Sequence, residues 1–154
     1  MKGHQYFIFI VILFLACNSK PKEAKKLVVS NQMGQLMLPK NKLNLFCYFK
    51  AECSFCYGNI MNISKEFPKI PLVCITECTD TVLISHHMNQ INFKGVLVID
   101  SLSNFYKSNK DILKNNKLLL VDHENKVVDS AEFELNKIIT KRFKEKIKKY
   151  TLEK

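Results

Sequence analysis

The sequence predicts an α/β layered fold, a central mixed sheet flanked by helices. Three observations predict it. Strand-like and helix-like stretches alternate along the chain. Leu43 to Phe49 (L-N-L-F-C-Y-F) is a nearly continuous apolar run, as expected of a central strand covered on both faces. Glu134 to Tyr150 is a long amphipathic stretch, apolar at Leu135, Ile138, Ile139, Phe143, Ile147 and Tyr150. The 154 residues suit one domain.

Each element follows from its local pattern. Leu27 to Val29 and Gln35 to Leu38 flank a turn with Asn31 and Gly34, and read as a hairpin or extended arm. After the Leu43–Phe49 strand, Ile60, Ile63 and Phe67 give helical spacing to Tyr57–Phe67, and Pro68 stops it. Leu72 to Ile75 is a second strand. Asp80 caps a helix reaching Ile91, with Ile84, Met88 and Ile91 on one face. Val96 to Ile99 is a third strand, and Ser101 to Ser108 a short helix. Leu118–Val121 and Lys126–Asp129 form a hairpin through His123-Glu124-Asn125.

Charge excludes little by itself. The chain carries 24 Lys and Arg against 14 Asp and Glu, a net +10. The densest basic stretch is the C-terminal one, where Lys137, Lys141, Lys144 and Lys148 share the polar helix face. This is a solvated face, and nucleic acid is not expected as a partner. No G-x-G-x-x-G or G-x-x-x-x-G-K-[ST] occurs, so dinucleotide and P-loop chemistry have no support. No cofactor is implied.

The first residues set the expected compartment. Met1-Lys2-Gly3-His4-Gln5 is short and basic. Tyr6 to Leu15 is unbroken apolar, and a polar stretch follows Cys17. This is the layout of a secretory signal. Phe14-Leu15-Ala16-Cys17 resembles a bacterial lipobox, in which the signal is cut before a Cys that receives lipid. The resulting expectation is a signal at 1–16, a flexible tether at 17–26 and one domain at 27–154. Lipid on Cys17 would hold the protein to a membrane of the bacterial cell envelope, facing the periplasm or exterior, where disulfides persist.

The six cysteines are Cys17, Cys47, Cys53, Cys56, Cys74 and Cys78. Cys53-Ser54-Phe55-Cys56 is a C-x-x-C between a central strand and a helix. A thiol at a helix N-terminus faces unpaired N–H groups and the positive end of the helix dipole, which favours the nucleophilic thiolate. The second Cys lies one turn on and can resolve a mixed disulfide. Cys53 is therefore the attacker and Cys56 the resolver. Cys47, inside the strand, reads as a buried small hydrophobe. Cys74 and Cys78 form a second bridge only if the chain turns at Thr76-Glu77.

On these residues the sequence resembles the thioredoxin superfamily, and within it the membrane-tethered TlpA-like thiol–disulfide oxidoreductases. The resemblance runs over about residues 35–150. It rests on L-F-C-Y-F-K-A-E-C-S-F-C, on L-V-C-I-T at Leu72–Thr76, on F-K-G-V-L-V-I-D-S at Phe93–Ser101, and on L-L-L-V-D-H-E-N-K-V-V at Leu118–Val128. It implies a thioredoxin-like fold and disulfide exchange with extracytoplasmic protein thiols, served by a redox partner protein. Two positions depart from the family. Glu52 stands where an aromatic usually precedes the first Cys. Its carboxylate opposes the thiolate, accepts its proton, or is a plain loop acid. Asn116 stands where the family has a cis-proline, which leaves the substrate-pairing backbone at that position in question.

Two other readings remain. One is a metallochaperone that binds copper or zinc through the same dithiol, with His86 or His87 as a further ligand. The other is a non-catalytic envelope lipoprotein with Cys53–Cys56 as a structural bridge.

Overall fold

The computed structural model describes residues 24–29, 42–114 and 117–152. The signal, Cys17, the Gln35–Leu38 half of the expected hairpin, and Asn116 lie outside them.

Strand β1 (Leu43–Lys50) takes the middle of a five-stranded sheet. Helix α1 (Ser54–Glu66) and strand β2 (Leu72–Glu77) follow, then helix α2 (Thr81–Gln90) and strand β3 (Val96–Ile99). Helix α3 (Asn104–Leu113), strands β4 (Leu118–Asp122) and β5 (Val127–Ala131), and helix α4 (Lys137–Leu152) complete the domain. The strand order is β3-β2-β1-β4-β5. The three strands β1, β2 and β3 are parallel, while β4 runs antiparallel to both β1 and β5. The sheet is mixed, as the sequence predicts.

Alternation along β1 divides the core in two. Leu43, Leu45, Cys47 and Phe49 point to one face, where they meet Ile60 and Ile63 of α1, Ile84 and Met88 of α2, and Phe143 of α4. Phe46 and Tyr48 point to the other face, where they meet Phe105, Ile112 and Leu113 of α3. Burial on both sides explains the near-continuous apolar run. In α4 only Phe143 is fully buried, and Leu135, Ile139, Ile147 and Tyr150 pack around the same core. Ile138, expected on the apolar face, is instead 77% exposed. It flanks the buried stripe, because successive helical residues lie about 100° apart around the axis.

Three local devices fix the connections. Asp80 caps α2 by accepting from the Val82 and Leu83 N–H groups at 3.1 and 2.9 Å. Asp100 Oδ2 accepts from the Phe105 and Tyr106 N–H groups at 3.0 and 3.2 Å, and so caps α3 from beyond its own N-cap residue. Asp122 Oδ1 accepts from Glu124 and Lys126 N–H at 2.9 Å each, which sets the β4–β5 hairpin turn. Gly95 precedes β3 where a Cβ would lie 2.2 Å from the Leu72 carbonyl oxygen, so a side chain has no room there.

The N-terminal segment pairs with the β4–β5 hairpin. The Lys25 carbonyl accepts from Val127 N–H, and Leu27 N–H donates to Asn125 O, both at 2.8 Å. With the isolated bridge between Lys26 and Lys126, these bonds lay the segment along the hairpin turn and the start of β5. Helix α3 runs to Leu113 rather than ending at Ser108. Asn109 sits at a kink inside it, bonding Phe105 O and both backbone groups of Val28, which ties the N-terminal segment to the helix.

Candidate functional site

The Cys53–Cys56 pair stands at the carboxyl end of β1, where the chain turns into α1. Cys53 N–H donates to Lys50 O at 3.0 Å, closing the turn. Cys53 is the N-cap residue of α1, and no side chain caps the helix there. Helix α1 starts at Ser54, three residues before the predicted start, and so takes in the motif. The first turn carries no acidic residue to compensate the positive end of the dipole. The two sulfurs are joined as a disulfide, with the Cα atoms 5.3 Å apart. Cys53 is partly exposed, whereas Cys56 is only 7% exposed and lies in the core.

The surroundings are apolar below and charged at the rim. A cleft of about 320 Å³ beside the disulfide is lined by Phe49, Phe55, Lys117, Phe133 and Glu134, among others. The rings of Phe49 and Phe133 stack with centroids 6.2 Å apart and form its floor. Phe55, inside the motif, is 64% exposed, and offers an apolar surface next to the sulfurs. Glu52 is exposed on the loop just before Cys53. Lys117 opens β4: its N–H donates to Ala131 O and its carbonyl accepts from Tyr48 N–H.

Two tyrosines near the site carry roles that sequence reasoning missed. Tyr57 donates its hydroxyl to Ala51 O at 2.8 Å and so clamps the loop that carries Glu52 and Cys53. Burial pushes the Tyr57 phenol up, with the neighbouring Cys78 and Glu52 adding to it. Its position directly after Cys56 was the available signal. On the other sheet face, Tyr48 donates to Glu77 Oε1 at 2.5 Å. That bond is the chief reason the Glu77 carboxyl lies below the usual carboxylate range, with Ser103, Lys50 and Lys107 adding to it. Burial first, then Glu77, holds the Tyr48 phenol far above its ordinary 10.0.

Cys47, Cys74 and Cys78 are buried free thiols. Cys74 and Cys78 do not bridge. Four residues of extended strand span about 13 Å, and Cys78 instead donates to Asp80 O at 3.0 Å. The register of β1 and β2 pairs Cys47 with Cys74, and their sulfurs lie 3.0 Å apart. Both are fully buried free thiols, as expected of Cys47.

The histidines do not complete a metal site with the dithiol. His86 is exposed, and the His87 ring packs on Tyr57 at 4.7 Å. Among the described residues no group of three or more His, Cys, Asp or Glu side chains is placed to hold a metal ion.

No protein-family model and no curated protein matches the chain. Solved structures do. A thioredoxin-like protein from Porphyromonas gingivalis superposes with a TM-score of 0.57 at 12% identity, over 73% of this chain and 78% of that one. The thioredoxin domain of a thiol-disulfide oxidoreductase from Bacteroides vulgatus gives 0.55 at 19%, over 70% and 80%. StoA from Bacillus subtilis gives 0.53 at 10%, over 69% and 82%. The fold is thioredoxin-like. Within this thioredoxin-like domain the Cys53–Cys56 pair occupies the junction of the central strand and its following helix.

Proposed function

We propose that the protein is a thiol–disulfide oxidoreductase of the bacterial cell envelope. It exchanges disulfides with extracytoplasmic protein thiols through C-S-F-C and is tethered by lipid on Cys17. One observation carries the reading: a Cys pair at disulfide distance on an uncapped helix N-terminus, with Cys53 partly exposed and Cys56 buried.

The chemistry follows from that placement. In the reduced protein, the N-terminus of α1 favours the Cys53 thiolate. The thiolate attacks one sulfur of a substrate disulfide, and the other substrate sulfur leaves as a thiol. Cys56 then attacks Cys53, releases the second substrate thiol and leaves Cys53–Cys56 oxidised. Run in reverse, the same steps oxidise a substrate dithiol. Phe55, 64% exposed, and the half-buried Phe133 give an apolar surface for the substrate chain beside the sulfurs. The solved structures named oxidoreductases support the reading through the shared fold.

Reductant-driven turnover of a protein disulfide tests it. The wild type should accelerate reduction well above the reductant alone, and Cys53→Ala should abolish the acceleration. Wild-type rates equal to background would make the pair a structural bridge. Metabolic labelling with a fatty-acid analogue tests the tether. Wild type should be labelled and Cys17→Ala should not, and equal labelling would refute the anchor.

A further inference from the structure

Cys47 and Cys74 are unused by the chemistry above, and three features set them apart. They are register partners on adjacent parallel strands, which lie about 4.8 Å apart, inside the Cα separation a disulfide spans. Their sulfurs are 3.0 Å apart, so closure to a bond of about 2.0 Å needs a movement of only about 1 Å. Both side chains belong to the same continuous core cluster as Cys56, with Cys53 packed on its border.

We propose that Cys47 and Cys74 are a second, buried redox pair that exchanges electrons with Cys53–Cys56. The inference rests on the oxidoreductase reading, because the surface disulfide is its oxidant. In the first step Cys47 loses its proton and attacks the Cys56 sulfur. The Cys53–Cys56 bond breaks, a Cys47–Cys56 bond forms, and Cys53 leaves as a thiolate that takes up a proton. In the second step Cys74 loses its proton and attacks the Cys47 sulfur. A Cys47–Cys74 bond forms, and Cys56 leaves and is protonated. Two electrons and two protons have moved from the buried pair to the surface pair. No outside oxidant is needed, which matters because both buried thiols are 0% exposed.

Burial also sets the direction. It pushes the Cys74 thiol well above its ordinary range, and the hydrogen bond and charge of Cys47 add to this. Thiolates that are poorly stabilised favour the disulfide form of a pair, whereas a helix N-terminus stabilises the reduced form of Cys53. Electrons therefore run outward, and the buried pair re-reduces the surface pair once.

Peptide mapping of the full chain tests this. Fully reduced protein is oxidised with excess oxidised glutathione and quenched over time, and free thiols are alkylated after unfolding. Cys53–Cys56 should close first, and a Cys47–Cys74 cross-link should follow. In Cys53→Ser/Cys56→Ser the Cys47–Cys74 cross-link should form at least about tenfold more slowly. In Cys74→Ala, where the second step is blocked, a Cys47–Cys56 cross-link should accumulate with Cys53 free. The proposal is overturned if Cys47 and Cys74 stay thiols while Cys53–Cys56 closes. It is equally overturned if their cross-link forms as fast without the surface pair, or if Cys74→Ala traps no Cys47–Cys56 bond. Failure of Cys53–Cys56 itself to close would appear on its own peptides, and would remove the oxidoreductase reading and this exchange together.

Discussion

Replacing Glu52 with Gln asks which of two opposing fields governs Cys53. Cys53 is the N-cap residue of a 13-residue helix with no side-chain cap and no acid in its first turn. At a partly buried site the helix end is worth about 1–2 kcal/mol to an anion, or about 0.7–1.5 pKa units. Glu52 is exposed and directly precedes Cys53. Through water, two charges 4 Å apart interact by about 1 kcal/mol, which caps its opposition at about 0.7 unit. The helix end outweighs the carboxylate, so it should favour the Cys53 thiolate of the reduced protein over that of a free cysteine. Glu52→Gln should favour that thiolate further, by up to about 0.7 unit, raising the thiolate fraction on the acid side of the titration by up to about fivefold. The assay is the pH dependence of Cys53 alkylation by iodoacetamide, followed by mass spectrometry at low salt and in 1 M salt. The mutational shift should shrink at 1 M, where the screening length is about 3 Å. Slower alkylation of Glu52→Gln near neutral pH would refute this reasoning and make Glu52 the proton acceptor. A salt-independent shift would refute it too, since the charge would then not be acting through solvent.

Two further predictions concern the frame. Asp100→Ala should cost about 1–2 kcal/mol in urea unfolding, because two N–H groups of α3 lose their acceptor; Asp100→Asn should keep most of that stability. The Tyr48–Glu77 pair should shape the pH dependence of stability at both ends. Glu77 titrates below its usual range in the fold, so its contribution is full above the unfolded carboxyl pKa of about 4.3 and is lost as pH falls through the lower folded value. Tyr48 titrates above its ordinary 10.0 in the fold, so its contribution is lost as pH rises past 10.0. Tyr48→Phe should remove the alkaline loss and flatten the acid one, read from unfolding midpoints across pH.

What the sequence made legible was local. The continuous apolar run of β1 and the 3.6-residue patterns of α2 and α4 survive folding because β1 is covered on both faces and each helix buries one face against the sheet. The motif was legible because strand, C-x-x-C and helix are contiguous. The motif marked the start of α1, whereas the apolar period set in only from Tyr57, since Cys53-Ser54-Phe55 carries no such period and no side-chain cap. The Cys47–Cys74 and Tyr48–Glu77 juxtapositions were also hidden. Both join β1 to β2 and depend on parallel register, which no turn fixes in sequence. Asn109 lies just past the expected end of α3 at Ser108. It is a tertiary clasp, bonded to Val28 some 81 residues away.

Trapping the covalent intermediate tests the assigned roles of the dithiol most directly. With Cys47, Cys74 and Cys78 replaced, Cys56→Ser is incubated with a disulfide-bonded protein substrate and resolved on a non-reducing gel. The account predicts adducts that accumulate, vanish with reductant and map to Cys53, with far fewer in Cys53→Ser. Equal trapping through Cys56 alone, or none in either variant, would contradict it.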